Sequence, residues 1–156
     1  MKINRIEFVA LHSIKSFKKM RLFKIVFFTL FLCFVTQNIS AQVYRFKTSS
    51  LSVMKKDEKG KWGKWSDFGK AELIITLDGA KDRIIVNSIE MQLFKIIAYG
   101  KKVETEFDET VPFECEDNGG GKCTILIVTR KNQDNRMQFY INYNDVRMVY
   151  NIYNSN

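Results

Sequence analysis

The chain has one histidine, one proline and three cysteines in 156 residues. His12 is followed by a leader-like apolar run, so a chain processed after that run has no imidazole at all. Such a chain has no Ser-His or Cys-His pair and no His-bearing zinc site. Carboxylates, lysines and tyrosines are the side chains left for catalysis. No recognised motif asks for a cofactor or a metal, and a non-enzymatic role is expected.

Long apolar runs are missing too. Ile25 to Val35 is broken only by Thr29. At about 1.5 Å per residue it spans roughly 16 Å, against roughly 30 Å of membrane hydrocarbon. Arg21 and Lys24 precede it and Ile39-Ser40-Ala41 follows. This is the layout of a secretory signal peptide cleaved before Gln42, with Met20 a better start than Met1. A retained anchor would draw Gln37 and Asn38 into lipid, and a lipid anchor at Cys33 would follow the bulky Leu32. Residues 1–41 are therefore expected to be extension and signal, and residues 42–156 a single exported domain, periplasmic or secreted, with no membrane span.

The net charge of +8 suggests a polyanion partner. However, seven of the 25 basic residues and one of the 17 acids fall within residues 1–41. The remainder holds 18 and 16, a net of +2, which gives no reason to expect nucleic acid.

What is present is alternation. Leu73, Ile75 and Leu77 alternate with Glu72, Ile74 and Thr76; Cys123, Ile125 and Ile127 alternate with Thr124, Leu126 and Val128. Met137, Phe139, Ile141 and Tyr143 are followed by Val146, Met148, Tyr150 and Ile152 at the same period. No helical stripe of useful length competes. About eight strands at short spacing, joined by tight turns, predict an all-β antiparallel meander. A small up-and-down β-barrel removes the exposed edges; a two-sheet β-sandwich is the alternative. Pro112 cannot donate to a ladder, so its segment is expected at an edge or a bulge. Leu126, Ile127 and Val128 are apolar on both faces, which asks for an outer cover: a short helix, a partner chain or a membrane component.

Cys115 and Cys123 flank Glu116-Asp117-Asn118-Gly119-Gly120-Gly121-Lys122, a hairpin turn. Both lie on the apolar parity, and opposed hairpin positions lie near disulfide separation. A disulfide is expected in an oxidising compartment, with buried free thiols the alternative.

Three further groups invite functional readings. Trp62 and Trp65, in a Gly/Lys-rich segment, read with Tyr44 as the rim of an open barrel end, or as plugs of its core. Tyr140 and Asn142 face outward and read as an interaction surface or as cross-strand packing. Glu104, Glu106, Asp108, Glu109, Glu114, Glu116 and Asp117 form an acidic region that would suit carboxylate-based hydrolysis only if two of them converge.

Ser40-Ala41-Gln42, Trp62-Gly63-Lys64-Trp65-Ser66-Asp67, Tyr143-Asn144-Asp145 and Val149-Tyr150-Asn151 together resemble small exported proteins of Bacteroidota-type bacteria. In architecture alone the chain resembles lipocalins, although Gly60-Lys61-Trp62 falls after the first strand rather than on it. The leading expectation is a non-enzymatic binding protein for an apolar or glycan ligand. The alternatives are an envelope protein-interaction module or inhibitor and, with least weight, a carboxylate hydrolase.

Overall fold

The computed structural model describes residues 42–155. Residues 1–41, where the signal peptide is expected, lie outside them with His12, Met20 and Cys33. Ten strands follow in order: β1 (Val43–Lys55), β2 (Gly69–Lys70), β3 (Ile74–Asp78), β4 (Arg83–Asn87), β5 (Gln92–Tyr99), β6 (Val103–Glu104), β7 (Asp108–Asp117), β8 (Lys122–Arg130), β9 (Arg136–Asn142) and β10 (Val146–Asn154). Eight of them form a closed antiparallel barrel in sequence order, sealed by β10 pairing with β1. The two-residue strands β2 and β6 are extras, each paired to the edge of one long strand. Closure decides for the up-and-down barrel over the sandwich, since every long strand has two neighbours.

The interior is filled. Phe94, Phe139, Ile75, Ile84, Ile125, Ile141 and Val86 are fully enclosed and join Phe46, Phe113, Tyr150 and both cysteines in one cluster. An eight-stranded barrel is just wide enough for side chains to occupy its middle, and here five aromatic rings do so.

Besides a register shift between Ile96 and Ala98 in the β5–β7 pairing, two irregularities shape the barrel. The β1–β10 register shifts between Thr48 and Ser50. Phe46 before the bulge and Leu51 after it therefore both face the core, which period two alone would not allow. At the bulge the buried Thr48 hydroxyl accepts a hydrogen bond from the Leu73 amide at 2.8 Å and donates to the Ala71 carbonyl. Thr48→Val is expected to leave both groups unpaired and cost about 1–3 kcal/mol in a urea melt, far more than an isosteric swap at an exposed site. The second irregularity is Pro112. It sits where the β5 pairing of β7 ends and the β6 pairing begins, so no donor is required there. The Gly100 amide donates to the Pro112 carbonyl at 2.9 Å. A Cβ at residue 100 would lie 2.5 Å from the proline ring, so only glycine permits the approach.

Candidate functional site on the outer wall

The β7–β8–β9–β10–β1 sheet has a second buried face, opposite the core. Cross-strand partners point the same way, so its registers define three rows. Asp108, Arg130 and Arg136 form one. Thr110, Val128, Gln138, Asn151 and Ser50 form the next. Leu126, Tyr140, Val149 and Ser52 form the third. Val128, Gln138, Val149 and Ser52 are buried, although none faces the barrel interior. The cover that the two-faced apolar strands ask for is the chain's own segment 62–70.

That segment is placed by local chemistry. After β1, the Asp57 carboxylate accepts the amides of Lys59 and Lys61, each at 2.9 Å, and Gly60 adopts a left-handed φ of 77°. The chain reverses and runs back along β1. Trp62 bridges to Lys56, and the Gly63 amide donates to the Lys55 carbonyl at 2.9 Å. Ser66 fixes the middle: its amide donates to the Val53 carbonyl, its hydroxyl accepts the Val53 amide, and its carbonyl accepts the Ser52 hydroxyl at 2.6 Å. The segment is thus an irregular strand whose aromatic side chains hang over the outer wall.

Trp65 meets the Tyr140 ring edge to face, with centroids 6.4 Å apart, and keeps 41% of its surface exposed. On either side of it lie two shallow depressions of about 310 and 290 Å³. The first runs among Trp65, Phe68, Gln138, Val149 and Arg136. The second runs among Trp65, Leu126, Val128, Asn142 and Arg147. Arg130 and Tyr140 line both.

A hydrogen-bonded chain stiffens the floor. Arg130 donates from Nη1 to Asp108 at 2.5 Å, from Nε to Gln138 at 3.2 Å and from Nη2 to the Tyr140 hydroxyl at 3.2 Å. Tyr140 donates to Gln138 Oε1 at 3.0 Å, Gln138 donates to Asn151 at 3.1 Å, and Asn151 donates to Ser50 at 2.9 Å. The network crosses five strands and fixes the orientation of the Tyr140 ring.

The structure brings Trp65, Tyr140 and Asn142 to one place, although the sequence assigned them to two different surfaces. It separates the others. Tyr44 pairs with Leu77 near the start of β1, while Trp62 pairs beyond its end, on the order of 35 Å away along the strand. A shared rim of Tyr44 with the two tryptophans is therefore corrected: one continuous strand holds them apart. Trp62 is not part of the core cluster. Its ring is clamped between Lys56 Nζ, 5.0 Å from the centroid, and the Arg147 guanidinium, 4.2 Å from it. Arg130, Arg136, Gln138 and Phe68 escaped the sequence reading, because outward parity normally marks solvated positions. The one signal was a doubly apolar β8.

The acids are used locally. Asp108 pairs with Arg130, Glu104 with Lys131 at 2.7 Å, and Glu109 with Lys102 at 2.8 Å. Among the described residues no three His, Cys, Asp or Glu side chains converge as a metal site. Asp117 closes the β7–β8 turn, accepting the amides of Gly121 at 2.7 Å and Gly119 at 2.9 Å and the Tyr143 hydroxyl at 2.8 Å. The Tyr143 bond, then the Gly121 amide, holds its carboxyl below the ordinary range. A carboxyl depressed on folding contributes stability that is complete above its unfolded value of about 3.9 and is lost as pH falls through the folded value. The acid limb of a stability–pH profile is expected to flatten in Asp117→Asn, measured by urea melts below pH 5.

Cys115 and Cys123 are direct partners across β7 and β8, as their parity implied. Here they are buried free thiols, so the expected disulfide is not formed in this structure. Burial pushes Cys115 up to about 12 and Cys123 up to about 11, which keeps both as unreactive thiols at neutral pH.

Comparison of the chain with protein-family models, with curated proteins and with solved structures finds no match.

Proposed function

We propose that this is an exported, non-enzymatic binding protein that takes a small ligand with a glycan-like or apolar face in the outer-wall cleft around Trp65. The observation that carries the reading is an exposed indole packed edge to face on Tyr140 above a polar, hydrogen-bonded floor, with an open depression on each side. Rings with apolar faces and polar edges suit such a platform, because the faces stack while the edges meet fixed donors. The filled interior supports an external site over a lipocalin-type cavity. The pairing of Glu104, Asp108 and Glu109 with local cations supports binding over hydrolysis. A half-buried Tyr140 beneath a lid of its own chain favours a small ligand over a protein face.

Export belongs to the same proposal, resting on the leader pattern of residues 20–41. In that compartment the facing thiols of Cys115 and Cys123 close to a disulfide.

The test is a titration of intrinsic tryptophan emission with a panel of oligosaccharides and apolar probes. A ligand found this way is expected to bind roughly thirtyfold more weakly, or worse, to Trp65→Ala. Tyr44→Ala is expected to bind normally. Unchanged binding by Trp65→Ala would remove the cleft from consideration.

A further inference from the structure

We infer that the ligand of this cleft is a saccharide bearing carboxylates, read by Arg136 and Arg147; the inference rests on the cleft being the binding site. Three arginines and no acid line its two depressions. Arg130 is ion-paired with Asp108, and it also donates to Gln138 and Tyr140. Arg136 and Arg147 enter no ion pair among the described residues. The cleft therefore carries two uncompensated cations in a domain whose overall charge is near balance.

Arg136 has no counter-charge of its own among the described residues. It lies directly opposite Arg130 across β8 and β9, and like charges at opposed positions destabilise a sheet. Asp108 flanks Arg130 on its other side and not Arg136. A bound carboxylate would relieve this repulsion, and the guanidinium fork matches its two oxygens. Arg147 has unspent capacity as well. Its guanidinium is stacked on Trp62, and its buried Nε–H has no acceptor among the described residues. Stacking holds the charge in place, so little side-chain freedom is lost when an anion arrives.

Spacing points to a chain of sugars rather than a single anion. Arg147 is the register partner of Asn142, six residues along β9 from Arg136, or about 20 Å. Arg136 ends the first depression and Arg147 the second, with Trp65 and Tyr140 between them. The order is charge, aromatic platform, charge. It suits an oligosaccharide whose ring faces lie on Trp65 while its acid groups reach outward to either arginine.

The probes are a tri-galacturonide, its fully methyl-esterified form and inorganic tripolyphosphate, each titrated against the full domain in buffers of fixed ionic strength. The acid is expected to bind at least about tenfold more tightly than the ester, one charge-assisted contact being enough for that ratio. Arg136→Gln, at an exposed position, should erase most of that preference, weakening the acid far more than the ester. Arg147→Lys keeps a cation beside Trp62 but loses the fork, and should reduce the preference with the melting temperature held. Trp65→Ala should weaken both saccharides together. Equal affinity for acid and ester, with Arg136→Gln altering neither, would overturn the carboxylate assignment while leaving the cleft standing. Tripolyphosphate binding as tightly as the tri-galacturonide would overturn it in favour of a simple anion site. Saccharide binding that survives Trp65→Ala would overturn the cleft itself.

Discussion

Phe139→Ala is expected to destabilise the barrel by about 3–5 kcal/mol, lowering the melting temperature by on the order of 10–20 °C. The ring is fully enclosed and packs at a tilt against Tyr150, with centroids 6.4 Å apart. Its neighbours on the core face, Ile127 and Ile141, come from strands locked in the ladder and can collapse only slightly into the space left. The loss should appear in the urea midpoint with little change in slope. This substitution also separates a filled barrel from a hollow one. In a lipocalin-type cavity, a wall residue trimmed to alanine would chiefly enlarge the cavity at modest cost. A shift of less than about 1 kcal/mol at Phe139 would mean that the interior is not packed as described.

Oxidation of the Cys115–Cys123 pair is expected to raise stability by about 2.5 kcal/mol, the chain-entropy value for so short a loop. Direct opposition across an antiparallel pair places the two Cα atoms about 4.5–5.5 Å apart, inside the range a disulfide accepts. The barrier is kinetic rather than geometric. With Cys115 pushed up to about 12 and Cys123 to about 11, hardly any attacking thiolate exists in the folded barrel. Protein folded under reducing conditions should therefore stay reduced for long periods in mild oxidant, whereas protein refolded in oxidant should carry the bond. Intact mass before and after alkylation in denaturant distinguishes the two, and paired urea melts give the stability difference. Rapid alkylation of the native protein would contradict the buried placement of both thiols.

The core of this fold was written in period two. Phe139, Ile141, Tyr150 and Ile152 face inward as alternation implied, and the cysteines meet because their parity and a Gly-rich turn required it. The bulge at Thr48–Ser50 was not legible, since a serine pair carries no apolar phase to betray a slipped register. The site was half legible. Trp65 stood out by type, and Tyr140 by outward parity, but their meeting depends on how the nine-residue return segment 62–70 drapes over strands far away in sequence. Arg130 and Gln138 look like solvated outward residues until that cover is in place. The separation of Tyr44 from the tryptophans was not legible, because composition gives no measure of distance along a 13-residue strand.

Recognition on the outside of a solid barrel is the claim on which the rest depends. Amide and methyl chemical shifts of the isotope-labelled domain, followed through a titration with a bound saccharide, address it residue by residue. Shifts are expected at Val128, Gln138, Tyr140, Val149 and the Trp65 indole N–H, with Ile84, Ile125 and Ile141 still. Shifts concentrated on Ile84, Ile125 and Ile141, with the Trp65 indole unmoved, would contradict it.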